Sequence, residues 1–224
     1  MKKVIFFSRL ICTVILSLFF TSCSESVDHE FSYDSKINAW VKTNKKEILN
    51  YSRDDIKLFS EKKQKAILRI MPANKKKEIW QEKVDYILKM NLSKEEKVFL
   101  KLFTETFKEI DYKSPISKEF TEELDKKVTL GAKKFNWSKE FVHNTFFTIK
   151  DVNLVENDFV SKEDKLEARG GEQDNCNCTP SFWGCTGYNN DCSKPDKCET
   201  NNGDCGVWGT SNCTGYCTGD LTQN

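Results

Sequence analysis

Hydrophobic residues between positions 31 and 150 recur every three or four residues, which is the period of an amphipathic helix. This region contains only two prolines and one glycine, so little in it interrupts a helix. We therefore expect five or six helices, at about 35–49, 53–70, 73–90, 94–111, 115–130 and 138–149. The clearest apolar stripes are Phe59, Ala66, Ile67 and Ile70; Trp80, Val84, Ile87 and Leu88; Phe99, Leu102, Phe103, Phe107 and Ile110; and Val142, Phe146 and Ile149.

Helix start signals agree with these stripes. Ser52 with Asp55 three residues later, and Ser93 with Glu96, have the spacing of capping boxes. Ser114-Pro115 has the pattern of a cap followed by Pro at the first helical position. A region of this length can bury a core, and we expect its aromatic residues to lie in that core rather than around a cofactor.

Eight of the ten cysteines lie near the C-terminus, in a segment rich in Gly and Asn. An even number of cysteines in such a segment predicts a disulfide framework in an oxidising compartment, without fixing which cysteines pair. A metal site is the alternative, but no C-x-x-C pair occurs and both histidines lie elsewhere. We therefore predict no metal and no cofactor. The eight residues are Cys176, Cys178, Cys185, Cys192, Cys198, Cys205, Cys213 and Cys217.

The N-terminus has the features of an export signal. Basic residues precede an apolar run over 10–20, which is too short to cross a bilayer. Small residues then precede Cys23, as in a bacterial lipobox, so we predict a signal peptide over 1–22, lipidation of Cys23 and a tether over 23–30. An ordinary signal with an incidental cysteine is the alternative. The predicted location is the bacterial outer membrane or cell surface, with a membrane contact through the lipid anchor.

Charge divides the chain. Residues 31–150 carry 27 basic and 18 acidic residues, whereas residues 151–224 carry 5 and 13. Lysine runs such as 75–77 suit solvated helix faces, with contact to an anionic envelope surface or to the acidic tail as the alternative. Residues 151–175 have the composition of an acidic linker, so the helical region and the tail are expected to be independent. Export excludes nucleic acid as a partner.

Catalytic groupings are hard to find. His143 is alone on a predicted helix, and Glu122 and Glu123 point apart on another. The cysteines are committed to bridges, and no Gly-rich phosphate loop or nucleophile elbow is present. The sequence therefore predicts that the protein is not an enzyme.

The cysteine-rich segment carries a family resemblance. It opens with Asn175-Cys176-Asn177-Cys178, continues with Gly203-Asp204-Cys205-Gly206 leading to Trp208, and closes with Cys213 and Cys217. This pattern resembles the small bacteriocin fulvocin C. The whole chain resembles the bacteriocin fulvocin C-related protein family, in which a signal and a Lys-rich helical region precede such a module. Residues 68–83 resemble that family's Pro-x-x-Lys-Lys-x-x-x-Trp stretch.

The resemblance implies a function and a domain order. A helical domain (31–150) and the linker precede a disulfide-rich bacteriocin-like module (176–217) with little regular structure and a short tail (218–224). The chain is then a precursor or carrier of an antibacterial peptide used in interbacterial competition, with a target-cell receptor as partner. Gly170-Gly171 resembles a double-glycine processing site, with a flexible hinge as the alternative.

Two further expectations concern the module itself. The aromatic residues that interleave its cysteines are expected to form a miniature core, too small to be stable without disulfides. In the released fragment 172–224, Phe182, Trp183 and Trp208 are expected to be exposed and to contact a membrane or receptor. The alternative function is a cell-surface lipoprotein that displays a disulfide-rich binding module, with loops such as 188–191 and 199–204 presented to a partner.

Overall fold

The computed structural model describes residues 30–113, 116–152, 183 and 204–215, together with the backbone of 192–193 and 216–217, and in this part the protein is mainly helical. Two-residue strands β1 (Cys192–Ser193) and β2 (Tyr216–Cys217) pair antiparallel, with Cys192 opposite Cys217. The helices of the described residues are α1 (Ser35–Thr43), α2 (Lys45–Ile48), α3 (Arg53–Ile56), α4 (Glu61–Ile70), α5 (Ala73–Lys89), α6 (Lys94–Lys108), α7 (Lys118–Phe135) and α8 (Lys139–Phe146).

Both predicted capping boxes are confirmed. At the start of α3 the Ser52 hydroxyl accepts from the backbone N–H of Asp55, and the Asp55 carboxylate accepts from that of Ser52. Ser93 and Glu96 make the same reciprocal pair at the start of α6. Each box satisfies two N–H groups that the helix itself leaves without a partner.

The predicted start of the fifth helix was wrong by three residues. Helix α7 begins at Lys118, and its cap is Ser117, whose hydroxyl accepts from the Phe120 N–H at 3.2 Å. Ser114 and Pro115 lie outside the described residues. The same helix also continues past its predicted end at 130 and stops at Asn136, which adopts the left-handed conformation at φ 53°.

Gly131 lies inside α7 because two helices approach closely there. A Cβ at this position would lie 2.6 Å from the Phe99 ring and 2.8 Å from Trp137. Phe99 also packs edge-on against Phe135, while Lys127 further back on α7 donates to Thr106. Helices α6 and α7 are therefore antiparallel neighbours, and the glycine permits the contact rather than ending the helix.

Two predicted helices are each divided by a short break. The first divides at Asn44, whose side-chain amide and backbone N–H both donate to the Trp40 carbonyl. The second divides between α3 and α4, where the Gln64 side chain donates to the Phe59 carbonyl at 2.8 Å. These local bonds satisfy backbone groups without a continuous helix, so hydrophobic spacing alone does not reveal the breaks.

The aromatic residues form the core, as predicted for the helical region. Trp80, Phe107 and Phe146 are at most 1% exposed, and they belong to one continuous cluster of buried side chains. No helix in the described part of the chain is long and apolar enough to cross a membrane.

The helical region does not close this core alone, and here the expectation of independent parts was wrong. Trp183, Val207 and Trp208, all from beyond the linker, belong to the same buried cluster as the helix residues. A short segment cannot cover an indole with its own side chains. Trp208 therefore lies among the helices, and the C-terminal segment is part of the fold that holds them.

Candidate functional site

The C-terminal segment meets the helices through a small closed loop, residues 204–213, which we call the Trp208 loop. A disulfide between Cys205 and Cys213 closes it, with the two Cα atoms 5.1 Å apart. Cys205 and Ser211 exchange two backbone hydrogen bonds, of 2.9 and 2.7 Å, so the loop also has a hydrogen-bonded base. The loop tip is a 3-10 turn over Val207–Gly209.

The backbone of this loop requires glycine. Gly206 and Gly209 have φ of 73° and 68°, in the left-handed region that side chains disfavour. A Cβ on Gly206 would lie 2.4 Å from the Ser211 hydroxyl oxygen, so this position has no room for a side chain. Trp208 itself has φ 51°, a conformation that a bulky residue adopts only when its surroundings hold it there.

The surroundings that hold Trp208 are aromatic. Its ring centroid lies 4.7 Å from that of Phe103, 5.2 Å from that of Phe107 and 6.1 Å from that of Phe146. The Tyr112 hydroxyl donates to the Trp208 carbonyl at 2.7 Å, and the Trp208 residue is 1% exposed. Helices α6 and α8 thus form a socket that is filled by one side chain from the far end of the chain.

Two cations of the helical region contact the rim of the same loop. Lys76 Nζ lies 3.0 and 3.1 Å from the two carboxylate oxygens of Asp204, whose side chain is 1% exposed. Arg69 donates to the Cys213 sulfur at 3.3 Å and to the Phe31 carbonyl at 2.7 Å. Burial lowers the pKa of Arg69, and the nearby Asp204 carboxylate offsets part of this. The charges therefore fix the orientation of a loop whose tip is held by apolar contacts.

The same environment acts on Tyr112. Burial, with a smaller contribution from the Asp204 charge, raises the pKa of Tyr112 well above its usual value. The phenol therefore stays protonated and remains a hydrogen-bond donor to Trp208 throughout the physiological pH range.

Trp183 makes a second contact between the two parts. Its indole N–H donates to the Thr129 hydroxyl at 3.1 Å, and its carbonyl oxygen lies 3.1 Å from His143 Nδ1. His143 Nε2 lies 3.1 Å from the Glu61 carboxylate, which also accepts from Lys65 at 2.7 Å. Both ring nitrogens therefore face an oxygen atom, one from the Trp183 backbone and one from the Glu61 side chain. His143 is therefore a structural link between α4, α8 and Trp183, with both ring nitrogens engaged.

We expect the contacts of Glu61 with Lys65 and His143 to make the stability of the fold depend on pH. Burial raises the pKa of Glu61, but Lys65 and His143 outweigh burial, and the pKa lies well below the usual glutamate value of 4.5. A depressed pKa in the folded state stabilises the protein above the unfolded-state pKa, and this contribution is lost as pH falls below about 4.5. Thermal melting from pH 7 to 3 should therefore show a steep fall in Tm for the natural chain. Glu61→Gln should lower Tm at pH 7 and flatten the acid dependence. An unchanged slope in this variant would contradict the assignment.

A third polar group lies between α3, α5 and the end of the described helical region. Arg53 and Lys57 both pair with Asp151, and Lys83 donates to the Lys150 carbonyl. Burial, and next the Arg53 charge, lower the pKa of Lys83 well below its usual value. A lowered lysine pKa is typical of amine nucleophiles, but Lys83 is 0% exposed and a substrate carbonyl has no access to it. The group is therefore structural.

Some of the predicted site residues are described by the structure and others are not. Cys205 and Cys213 are bonded to each other, and the backbones of Cys192 and Cys217 lie opposite one another in β1 and β2. Among the described residues no group of three or more His, Cys, Asp or Glu side chains could hold a metal ion. The predictions at Cys23, Gly170, Gly171, Cys176, Cys178, Cys185 and Cys198 lie outside the described residues.

In the intact chain the helices cover the described aromatic residues of the module, and the exposure expected of the released fragment stays a prediction. Trp183 and Trp208 are 8% and 1% exposed, because the helices cover them, and Phe182 lies outside the described residues. The lysine run 75–77 is not simply a solvated face. Lys76 binds Asp204, as the alternative of contact with the acidic tail proposed, and Lys77 donates to the Lys108 and Ile110 carbonyls.

The socket was not predicted, although part of its signal is visible in the sequence. Phe99, Phe103 and Phe107 recur every four residues on α6, a dense aromatic row for a single helix face. Comparison with known proteins adds no template for this arrangement: no protein-family model, no curated protein and no solved structure matches the chain.

Proposed function

We propose that this protein is an exported carrier of a disulfide-stapled, bacteriocin-like C-terminal module used in competition between bacteria. The observation that carries the proposal is the burial of Trp208 in the helical socket. Trp208 belongs to the pattern that resembles fulvocin C, and free aromatic side chains are what such a peptide would use on a membrane or receptor. A helical region that covers them holds the module in a masked form.

The masked form explains why a carrier of this size is useful. The Trp208 loop is closed by a disulfide, fixed by Lys76 and Arg69, and covered by α6 and α8. Activity would then require both a cut in the linker, for which Gly170-Gly171 is the candidate, and departure of the loop from its socket. The product over 172–224 has seven acidic and two basic residues, so we expect it to bind a specific receptor rather than anionic lipid by charge.

The test compares masked and released forms on the same bacteria. The oxidised 172–224 fragment should inhibit growth of some members of a panel of related species, whereas the intact chain should not. The reduced and alkylated fragment is the control for disulfide-dependent structure. If neither form inhibits any strain, and the protein on producing cells remains uncut by immunoblotting, the carrier function is excluded.

The shared core favours one alternative function, a cell-surface lipoprotein that keeps its module attached. A loop whose Trp completes the helical core is an integral part of a stable display unit as well as a masked cargo. In that case the intact chain binds its partner, and binding survives mutation of Gly170 and Gly171. Cleavage on producing cells distinguishes the two functions.

Either function requires the remaining cysteines to be paired, and the oxidation state gives a direct prediction. Cys205 and Cys213 are bonded, and a disulfide framework would engage the other six cysteines of the segment. Mass spectrometry of protein exported to the periplasm should show eight of the nine cysteines of the mature chain oxidised, with Cys23 lipidated. Stoichiometric zinc, or free thiols in 176–217, would contradict the framework.

A further inference from the structure

Helices α6 and α7 expose large apolar side chains on one shared face. Val98 and Leu102 on α6 are 53% and 67% exposed, and Leu130 on α7 is 64% exposed. Phe99 faces Gly131 where the two antiparallel helices meet. Because successive side chains of an α-helix are rotated by 100° about its axis, Leu102 and Leu130 lie on the same side of this contact. The two helices thus present one apolar strip, remote in sequence from the Trp208 loop.

Lysines surround this strip. Beside Leu92 and Val98, three lysines border a shallow groove of about 360 Å³, and three more flank Leu130 within one helical turn. In the described residues none of the six lies within ion-pair distance of an acid, and two of the nearby acids, Glu105 and Glu123, are paired with other lysines, Lys108 and Lys127. We call the strip and its lysines the α6–α7 basic face. The six lysines are Lys94, Lys97, Lys101, Lys126, Lys133 and Lys134.

We propose that the α6–α7 basic face docks on a bilayer surface that contains anionic phospholipid. Apolar side chains ringed by lysines suit the boundary between acyl chains and headgroups, where the lysine stems lie along apolar surface and the ammonium groups reach phosphate. Lysine is depleted in protein–protein interfaces, so the same composition fits a protein partner poorly. Because anionic headgroups complement the lysines in charge, a bilayer that contains anionic phospholipid is the occupant that fits this face.

Position along the chain supports this choice. The described residues begin close in sequence to the predicted lipid anchor at Cys23, and a tether of eight residues (23–30) spans at most about 29 Å when extended. The helical region would therefore remain near a membrane, and the basic face would set its orientation there. Membrane docking does not depend on the bacteriocin-like function, since the residues that would carry it belong to α6 and α7 and not to the Trp208 loop.

The experiment uses the oxidised chain from residue 23 onwards with Cys23→Ser, so that any binding comes from the folded surface. Sedimentation with vesicles should show binding to phosphatidylethanolamine–phosphatidylglycerol vesicles and little binding to phosphatidylcholine vesicles. Binding should weaken as salt rises, because exposed charges are screened. Equal binding to both vesicle types, or binding to neither, would overturn the proposal.

Matched variants test whether this face is responsible. Lys97→Glu with Lys101→Glu should weaken binding at least about tenfold, because each reversal removes one attraction and adds a repulsion. Leu102→Glu should weaken it as well, whereas Leu58→Glu, at a leucine 77% exposed elsewhere, should not. Circular dichroism shows that each variant is folded. If Leu58→Glu weakens binding equally, the face is not specific and the proposal fails.

The chain's own acidic segment is the competing occupant. Residues 153–175 carry seven acids and three bases and could cover the lysines by charge. Neutralising Glu163, Asp164 and Glu167 by amide replacement should leave vesicle binding largely unchanged. If binding appears only after this neutralisation, the face belongs to the acidic segment and the membrane proposal is overturned.

Discussion

Trp208→Ala will lower the free energy of unfolding by about 3–5 kcal/mol, which is the usual cost of removing a large aromatic side chain from a packed core. The ring is 1% exposed and contacts Phe103, Phe107 and Phe146, so its removal leaves a cavity between α6 and α8. Denaturant unfolding followed by helical circular dichroism measures the change. The circular dichroism signal comes from the helices, whereas the substituted residue lies in the Trp208 loop.

Two control variants separate the ring from the backbone at this position. Trp208→Phe keeps an aromatic ring in the socket and should cost less than Trp208→Ala. Trp208→Gly loses the ring as well, but it relieves the backbone at φ 51° and should be no worse than the Ala variant. If Trp208→Ala unfolds at the same denaturant concentration as the natural chain, the helices and tail are independent after all.

Cutting the linker will leave the C-terminal module bound to the helical region. A protease site placed over 166–171 of the full chain allows the cut after folding, and the two pieces should then co-elute in size-exclusion chromatography. The contacts that hold them are the Trp208 socket, the Lys76–Asp204 pair and the Trp183 hydrogen bonds. None of them depends on an unbroken linker.

Reduction of the nicked protein will release the module. The Cys205–Cys213 bridge restricts the unfolded loop and contributes on the order of 2–4 kcal/mol, so the reduced loop has less tendency to present Trp208. Lys76→Met should also favour release, whereas Lys75→Met, at a lysine paired only with Glu78 on its own helix, should not. Separation of the oxidised pieces immediately after cutting would show that the interface is too weak to mask the module.

Local signals in the sequence predicted the helices well. Ser52 and Ser93 define helix starts because a capping box is made by residues three positions apart. The stripes around Trp80 and Phe107 predict buried faces for the same reason, since neighbouring turns of one helix generate the pattern. The breaks at Asn44 and between α3 and α4 could not be predicted in this way, because they depend on particular side chain-to-backbone bonds.

The candidate site could not be assembled from the sequence because its contacts are long-range. Lys76 and Asp204 are 128 positions apart, and Arg69 and Cys213 are 144 apart. Lys75, Lys76 and Lys77 look alike locally, yet the first binds its own helix, the second binds the Trp208 loop and the third binds the end of α6. Trp208 belongs to no periodic hydrophobic pattern, so the sequence around it does not show whether its side chain is buried or exposed.

Trp208 follows all the helices that surround it in the chain, and this order has a consequence for biosynthesis. A polypeptide emerges from the ribosome with its N-terminus first, so α6 and α8 both appear while the residue that fills their socket is still missing. Until it arrives, Phe103, Phe107 and Phe146 line an open apolar slot of the kind that chaperones and proteases recognise. A message truncated before codon 208 would therefore yield helices whose apolar slot stays open. The segment that follows the linker thus decides whether the helices that precede it are left with an exposed core.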